Sequence, residues 1–323
     1  MRILISDYKE QMEPDYSLTI DAFHKILPDS TVTIAPYEST RFYEALMEAD
    51  GLITAFIPVD QPLLERAPKL HCISLNSAGF SNLAMDTLRE REIVACHITE
   101  YCTREVAEHG IALMMALTHN IPAYQQDIIC NHNWRYQNIS APRTLNHKTL
   151  AIFGFGRIGR MTAALAQGLG MQVMAVDPYV SPETMKQFQV KWVEPAKALG
   201  TADVIINHMS LTANNYHYFN QEAFQKMTRH PIFINVGRGG CVDEGALLEA
   251  LNQKYILGAG LDVLEDENPD LKQCPLVGRP DVILTPHSAF YSEDSITKLH
   301  EISARNLAYS LTCQYEKVDG LLT

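Results

Sequence analysis

The chain has 323 residues, of which 46% are hydrophobic and 20% are charged. That length is enough for two domains with sizeable cores. The formal net charge of -12 argues against nucleic acid or an anionic membrane as a main partner, because both repel an acidic surface. An anionic small molecule stays possible, since a pocket can be locally basic.

The seven cysteines are scattered, with no Cys-x-x-Cys pair and no clustering with histidine. This favours reduced thiols and no metal centre. Residues 1–6 predict a first strand rather than a signal peptide. No apolar run approaches the roughly 20 residues of a spanning helix. We therefore expect a cytoplasmic protein.

Short apolar runs alternate with helical patterns in the first third of the chain. Helical patterns occur, for example, at residues 43–47 and 63–67. The strand-like runs are residues 3–5, 31–34, 51–55, 72–75 and 93–96. Such a βα repeat predicts a mostly parallel sheet. Residues 103–117 then predict a long, largely apolar helix that suits a connection between domains.

The most informative stretch follows. Residues 150–153 predict a buried strand, which leads into a turn with Gly154, Gly156 and Gly159, then into a helical pattern. A second strand ends at Asp177, about 20 residues further on. Glycines at these positions allow a tight turn, close approach of a pyrophosphate and close packing of the helix, whose N-terminus favours phosphate. An acid at the end of the second strand can accept hydrogen bonds from ribose hydroxyls. The pattern predicts a bound dinucleotide.

The βα series continues to the end of the chain. Further strands are predicted at residues 204–206, 232–235, 259–262 and 282–284. A helical pattern at residues 294–311 follows the last of them, and we expect it to return to the first domain. The sequence therefore predicts two α/β domains, with ligands beyond the carboxyl ends of the strands.

Three places at predicted strand ends carry candidate chemistry. Arg238 lies among glycines after a strand, where its planar guanidinium can match a carboxylate, or where it is simply a surface residue. The acidic run 262–267 contains either a functional acid or only a solvated loop. His287, after a strand and a proline, is a candidate acid/base, although it is one of twelve histidines.

Taken together, these stretches resemble the D-isomer-specific 2-hydroxyacid dehydrogenases over about residues 100–310. The matching segments are residues 106–109, 154–159, 235–239, 258–263 and 285–287. Residues 1–99 match more loosely, chiefly at 77–79. Residues 287–293 are most similar to the C-terminal-binding-protein-like branch, which contains corepressors, but Phe290 stands where that branch usually has tryptophan.

The resemblance implies the fold and the domain boundaries. Residues 1–99 and 292–323 form a discontinuous flavodoxin-like substrate domain, and residues 100–291 form a Rossmann NAD-binding domain, each with a doubly wound parallel sheet. It also implies a homodimer that packs through the helix near residues 103–117 and the segment after it, where Ile121, Tyr124 and Trp134 offer apolar surface.

The resemblance further implies NAD-dependent reversible reduction of a small 2-oxo acid. Arg238 holds the substrate carboxylate and polarises the keto oxygen, while His287, paired with Glu267, donates the proton. Further substrate contacts are expected at Ala78, Gly79 and Phe290. The implied cofactor contacts are Thr103, Gly154, Gly156, Arg157, Ile158, Gly159, Asp177, Pro178, His208, Thr212, Val236, Gly237, Asp262, His287 and Ala289. No metal is implied.

Two departures from the family pattern bear on these assignments. Asn268 intervenes between Glu267 and Pro269, where the family places proline directly after the glutamate, so Glu265 is a less favoured alternative. Ser210 stands where the family usually has proline.

An NAD-sensing scaffold without enzyme activity is the main alternative function. Formate dehydrogenase is disfavoured because that relative is expected to have glutamine where this chain has Glu267. Phosphoglycerate dehydrogenase is less favoured because residues 76–83 carry no Lys or Arg.

Overall fold

The computed structural model describes residues 1–80 and 82–323. Its strands are β1 (Arg2–Ile5), β2 (Thr31–Ile34), β3 (Gly51–Thr54), β4 (Cys72–Leu75), β5 (Val94–Cys96), β6 (Thr149–Phe153), β7 (Gln172–Val176), β8 (Lys191–Trp192), β9 (Val204–Asn207), β10 (Ile232–Asn235), β11 (Gly258–Leu261) and β12 (Val282–Leu284). Its helices are α1 (Ser17–His24), α2 (Thr40–Leu46), α3 (Gln61–Glu65), α4 (Met85–Glu90), α5 (Thr103–Thr118), α6 (Ile121–Asn131), α7 (Arg157–Gly168), α8 (Pro182–Gln187), α9 (Pro195–Thr201), α10 (Gln221–Gln225), α11 (Glu244–Asn252) and α12 (Glu293–Leu311). The chain divides into two compact units, one of Met1–Tyr101 with Ser292–Thr323 and one of Cys102–Tyr291.

The first unit is built on a five-stranded parallel sheet. Its strand order is β2-β1-β3-β4-β5, which is the flavodoxin-like order. Alternate residues of β1 enter different cores: Ile3 and Ile5 pack with Leu307 of α12, whereas Leu4 packs with Phe42 of α2. The sheet is thus covered on both faces, as parallel sheets are.

The second unit is built on a seven-stranded parallel sheet in the order β12-β11-β10-β9-β6-β7-β8. From β6 the chain winds outward through β7 and β8, then resumes on the other side of β6 with β9. This is the Rossmann order with one added strand. The direction reverses between β6 and β9, so the loops that follow these two strands lie side by side, where ligands bind in such sheets.

The two parallel sheets confirm the predicted fold class. The helix after the glycine-rich turn, α7, begins at Arg157 and packs against α5 on one face of the larger sheet. Helix α6, which the sequence analysis did not predict as a helix, begins with Ile121 and Pro122 and has no buried residue. Within residues 1–80 and 82–323, no helix is long and apolar enough to cross a membrane.

Candidate active site

An imidazole and a carboxylate meet beyond the carboxyl end of β12. Nδ1 of His287 lies 2.8 Å from Oε2 of Glu267. The hydrogen bond from His287 lowers the pKa of Glu267, burial opposes it, and the charge of Arg238 adds to the lowering. The structure therefore favours an ionised Glu267 that accepts a hydrogen bond from Nδ1, which leaves Nε2 as the nitrogen able to exchange a proton with a ligand.

The turn that carries His287 is held by a buried acid. Asp262 is 2% exposed, and its carboxylate accepts hydrogen bonds from the backbone N–H of Ser288 at 2.9 Å and of Ala289 at 3.0 Å. The hydroxyl of Thr285 donates to the same carboxylate at 2.6 Å. These bonds stabilise His287 in a left-handed conformation, with φ at 51°, which is uncommon for a residue other than glycine. Asp262 thus holds the turn that carries His287, a role that the sequence analysis missed.

Glu265, the other glutamate of the acidic loop (residues 262–267), bonds to a different pair of residues. Oε1 of Glu265 accepts hydrogen bonds from the hydroxyl of Tyr216 and, at 3.0 Å, from Nε2 of His217. Glu267 is therefore the glutamate that contacts His287, in spite of the extra residue Asn268 before the proline.

Arg238 lies three residues after the end of β10. Its Nη1 donates to the carbonyl of Gly237 at 2.8 Å, and its own carbonyl accepts from Nδ2 of Asn235 at 3.0 Å. Asn235 in turn accepts from Nδ2 of Asn207, at the end of β9, at 2.9 Å. This buried asparagine pair fixes the ends of two adjacent strands. Sequence reasoning missed it, although asparagine as the last residue of two strands was a visible signal.

The glycine-rich turn has the shape that a dinucleotide requires. Gly154 has φ at +92°, and a Cβ there would lie 2.8 Å from the backbone of His208. A Cβ at Gly159 would lie 2.3 Å from the carbonyl oxygen of Gly154. A Cβ at Gly156 would meet no described atom within 4 Å. The turn is therefore tight on its protein side and open beside Gly156, at the N-terminus of α7, where a phosphate can approach.

Asp177, which follows β7, faces this turn. Its Oδ2 accepts from the backbone N–H of Phe155 at 2.7 Å, and its Oδ1 accepts from that of Tyr179 at 2.8 Å. A carboxylate has about four lone-pair positions, so it retains acceptor capacity for two ribose hydroxyls. The residues present thus fit an adenine dinucleotide.

The loop after β9 adjoins the same turn. Burial lowers the pKa of His208 to about 3, and its Nε2 lies 2.9 Å from the hydroxyl of Thr162 in α7. Asn215 ties the loop together, because its side chain accepts from Thr212 N–H at 2.6 Å and donates to the carbonyl of Ser210 at 2.7 Å. Asn215 thus braces the backbone at the position where the family has proline, which the sequence analysis did not anticipate.

The other predicted site residues occupy several places. Val236, Gly237 and Ala289 are buried at the ends of β10 and β12. Thr103 is the first residue of α5. Phe290 is half-buried, edge-to-face with His287 at 6.4 Å between ring centroids. In the first unit, the turn after β4 contains Ala78 and Gly79, whose carbonyls accept hydrogen bonds from Nδ1 of His97 at 2.9 Å and the hydroxyl of Ser77 at 2.6 Å.

Comparison with known proteins agrees with this geometry. Residues 111–289 match the NAD binding domain of the D-isomer specific 2-hydroxyacid dehydrogenases. The chain is 30% identical to glyoxylate/hydroxypyruvate reductase B of Klebsiella pneumoniae subsp. pneumoniae over 320 residues. The alignment covers 98% of this chain and 95% of that protein. The chain belongs to the D-isomer-specific 2-hydroxyacid dehydrogenases. The family prediction is confirmed.

Two further relatives of this 2-hydroxyacid dehydrogenase extend the comparison. Glyoxylate reductase of Korarchaeum cryptofilum is 30% identical over 277 residues, 84% of this chain and 83% of that protein. The crystal structure of D-lactate dehydrogenase from Aquifex aeolicus, complexed with NAD and lactic acid, superposes with a TM-score of 0.86 at 26% identity and covers 99% of this chain and 98% of that one. The protein is an NAD-dependent oxidoreductase, as predicted, and the comparisons do not support the scaffold alternative.

Proposed function

We propose that the protein reduces a small 2-oxo acid reversibly to the D-2-hydroxy acid, with His287, Glu267 and Arg238 as its catalytic residues. The 2.8 Å contact between His287 and Glu267 carries the proposal, because it combines a proton donor with the acid that orients it. The relatives named above support the substrate class: they are reductases of glyoxylate and hydroxypyruvate, and a dehydrogenase crystallised with lactic acid.

His287 is the proton donor of the proposed reduction. Glu267 stays ionised and accepts from Nδ1, so it stabilises the imidazolium and directs the proton on Nε2 toward the keto oxygen. In the oxidation direction the neutral imidazole takes the hydroxyl proton. NAD, when bound, supplies or accepts the hydride.

Arg238 is the anion anchor of the proposed site. Its guanidinium can hold a carboxylate and polarise an adjacent carbonyl oxygen. In the first unit, which we assign as the substrate domain, the backbone N–H groups near Ala78 and Gly79 are proposed to bind the carboxylate as well. Phe290 is proposed to contact the substrate side chain.

The second unit is proposed to hold the dinucleotide. The N-terminus of α7 receives the pyrophosphate, and Asp177 accepts hydrogen bonds from the ribose. His208 is proposed to act through its backbone, because its Nε2 is bonded to Thr162 and its Nδ1 is buried. The remaining proposed contacts are Thr103, Gly156, Arg157, Ile158, Pro178, Thr212, Val236, Gly237, Asp262 and Ala289.

A steady-state assay tests the proposed function. NADH oxidation is followed with glyoxylate, hydroxypyruvate, pyruvate and larger 2-oxo acids. His287→Ala should lower turnover by roughly a hundredfold or more, the usual effect of losing general acid catalysis, with little change in NADH binding. His71→Gln, at an exposed histidine of the first unit, is the control. If the wild-type protein reduces every 2-oxo acid in the panel no faster than the His287→Ala variant does, the proposed function is wrong.

A homodimer and a cytoplasmic location stay predictions.

A further inference from the structure

A second set of polar contacts lies on the acidic loop, away from His287. Oε1 of Glu265 accepts hydrogen bonds from both Tyr216 and His217. The rings of these two residues are stacked, with centroids 4.0 Å apart and an interplanar angle of 18°. One carboxylate oxygen thus joins two adjacent side chains of a distant loop, 49 and 48 residues away in sequence. We call Tyr216, His217 and Glu265 the clasp.

The clasp connects two loops that carry proposed catalytic residues. The N–H of His217 donates to the carbonyl of Gly240 at 2.8 Å, so the clasp segment is bonded to the residues just after Arg238. The acidic loop lies directly over the same residues, since a Cβ at Gly239 would come 1.8 Å from the carbonyl oxygen of Leu264. Only glycine leaves room for that approach. Residues 239–240, which follow Arg238, are therefore held between His217 on one side and Leu264 on the other.

A further bond fixes the backbone of the acidic loop. The N–H of Glu265 donates to Oε1 of Glu244, at the start of α11, at 2.7 Å. Glu265 is thus anchored at both its backbone and its side chain, and two residues later Glu267 reaches His287. A shift of the loop at residue 265 would also displace the Glu267 carboxylate, because only Asp266 separates the two glutamates.

We propose that the clasp is a positioning device that holds Glu267 against His287. Tyr216, His217 and Glu265 act through Glu267 and are positioning residues rather than catalytic ones. The inference rests on the proposed roles of Glu267 and His287.

The surrounding charges agree with this role. Glu267 faces His287 and Arg238, with Asp266 as the opposing charge. The phenol of Tyr216 faces Glu265, with Asp243 as a second negative charge, and the hydrogen bond to Glu265 raises its pKa. Tyr216 therefore stays protonated as a donor over the pH range in which the enzyme would be assayed.

The test measures the Glu267 carboxyl directly, in the cofactor-free protein. Carboxyl carbons of glutamate are labelled with 13C, the Glu267 signal is assigned by its loss in Glu267→Gln, and its pKa is followed by NMR. Tyr216→Phe and Glu265→Ala should raise the pKa of Glu267 toward its ordinary value, because the carboxylate moves from His287. Glu265→Gln, which retains an acceptor oxygen, should preserve most of the lowering. Tyr315→Phe, which removes an exposed hydroxyl of the first unit, is the control.

Kinetics provide the second readout. Tyr216→Phe should lower kcat for 2-oxo acid reduction by roughly three- to tenfold, because it removes one solvent-exposed hydrogen bond to the Glu265 carboxylate. It should also move the pH profile toward acid, while the KM for NADH stays within about twofold. In a Glu267→Gln background, Tyr216→Phe should have no further effect on the profile.

The outcomes separate this inference from the proposed function. An unchanged Glu267 pKa in both Tyr216→Phe and Glu265→Ala, or an additional shift of the profile in the Glu267→Gln background, would overturn the clasp. The expected NMR result in a protein that reduces no 2-oxo acid would support the clasp and reject the proposed function.

Discussion

Glu267 accepts a hydrogen bond from His287 at 2.8 Å, whereas Glu265, two residues earlier, is bound to Tyr216 and His217. The acidic loop thus contains two glutamates with different partners, and the one that contacts His287 is the one that the sequence analysis favoured. One orients the proposed proton donor, and the other anchors the loop.

The first prediction follows from the charge of Glu267. The hydrogen bond from His287 lowers the pKa of Glu267, so the carboxylate stays ionised to lower pH than an ordinary glutamate and places a negative charge beside the imidazole. Glu267→Gln removes that charge, and the pH profile of 2-oxo acid reduction should shift toward acid. Glu265→Gln should leave the profile close to that of the wild type. A profile moved by Glu265→Gln but not by Glu267→Gln would show that the residue assignment is wrong.

Cofactor choice is the second prediction. A 2′-phosphate at the ribose would meet the carboxylate of Asp177, and the following Pro178, Tyr179 and Val180 supply no positive charge. We expect NADH to be preferred over NADPH by at least about tenfold in kcat/KM, equivalent to about 1.4 kcal/mol. Asp177→Ser should narrow the ratio. Equal catalytic efficiency of the wild type with both cofactors would contradict the prediction.

The third prediction concerns assembly. Ile129, Trp134 and Tyr136 are 61%, 88% and 75% exposed on α6 and the segment after it. Aromatic and aliphatic side chains of this kind are common interface anchors. At micromolar concentration we expect a solution mass near twice the 36.3 kDa of the chain. Trp134→Glu should shift the mass toward the monomer, and Leu271→Glu, at an exposed leucine elsewhere in the unit, should not. A wild-type mass near that of one chain would count against the dimer.

The fourth prediction concerns the substrate side chain. Phe290 and Tyr291 follow His287, and an aromatic wall cannot pair a charge, so burying a second carboxylate or a phosphate beside it would cost several kcal/mol. We expect 2-oxo acids with small to medium uncharged side chains to be preferred, with each methylene that fits adding about 1 kcal/mol at most. Phe290→Ala should reduce kcat/KM for medium apolar substrates more than for glyoxylate. An equal loss for all substrates, or a best substrate that is dicarboxylic or phosphorylated, would refute this.

The fifth prediction concerns stability and pH. Burial lowers the pKa of His208 to about 3, against about 6.5 in an unfolded chain. Between these values the unfolded state binds a proton that the folded state does not. The free energy of unfolding should therefore fall as pH decreases below about 6.5, with a contribution from His208 of up to about 1.4 kcal/mol per pH unit.

Urea unfolding at several pH values measures this contribution. His208→Asn should flatten the decline relative to the wild type, while His71→Gln should not. His300, whose pKa burial also lowers, adds to the decline in the same direction in both proteins and does not affect the comparison. Parallel curves for the wild type and His208→Asn would rule out the assigned role of His208.

Local pattern determined much about this protein. Every strand except β8 was indicated by a short apolar run, and the three longest helices, α5, α7 and α12, were indicated by a helical pattern within one segment. The turn from Gly154 to Gly159 and the acid at Asp177 belong to one βαβ unit, so their spacing along the chain already predicts a dinucleotide site. Arg238 and His287 were candidates for the same reason, since each follows a recognisable strand.

Only the tertiary structure decided which side chains meet. Glu267 and His287 are 20 residues apart, Asn207 and Asn235 are 28 apart, and Tyr216 and Glu265 are 49 apart. No period in the sequence connects such pairs, because the contact depends on how parallel strands bring their carboxyl ends to one edge and on how the loops then pack. The packing of the loops therefore decides the partners of the two glutamates: Glu267 contacts His287, and Glu265 contacts Tyr216 and His217.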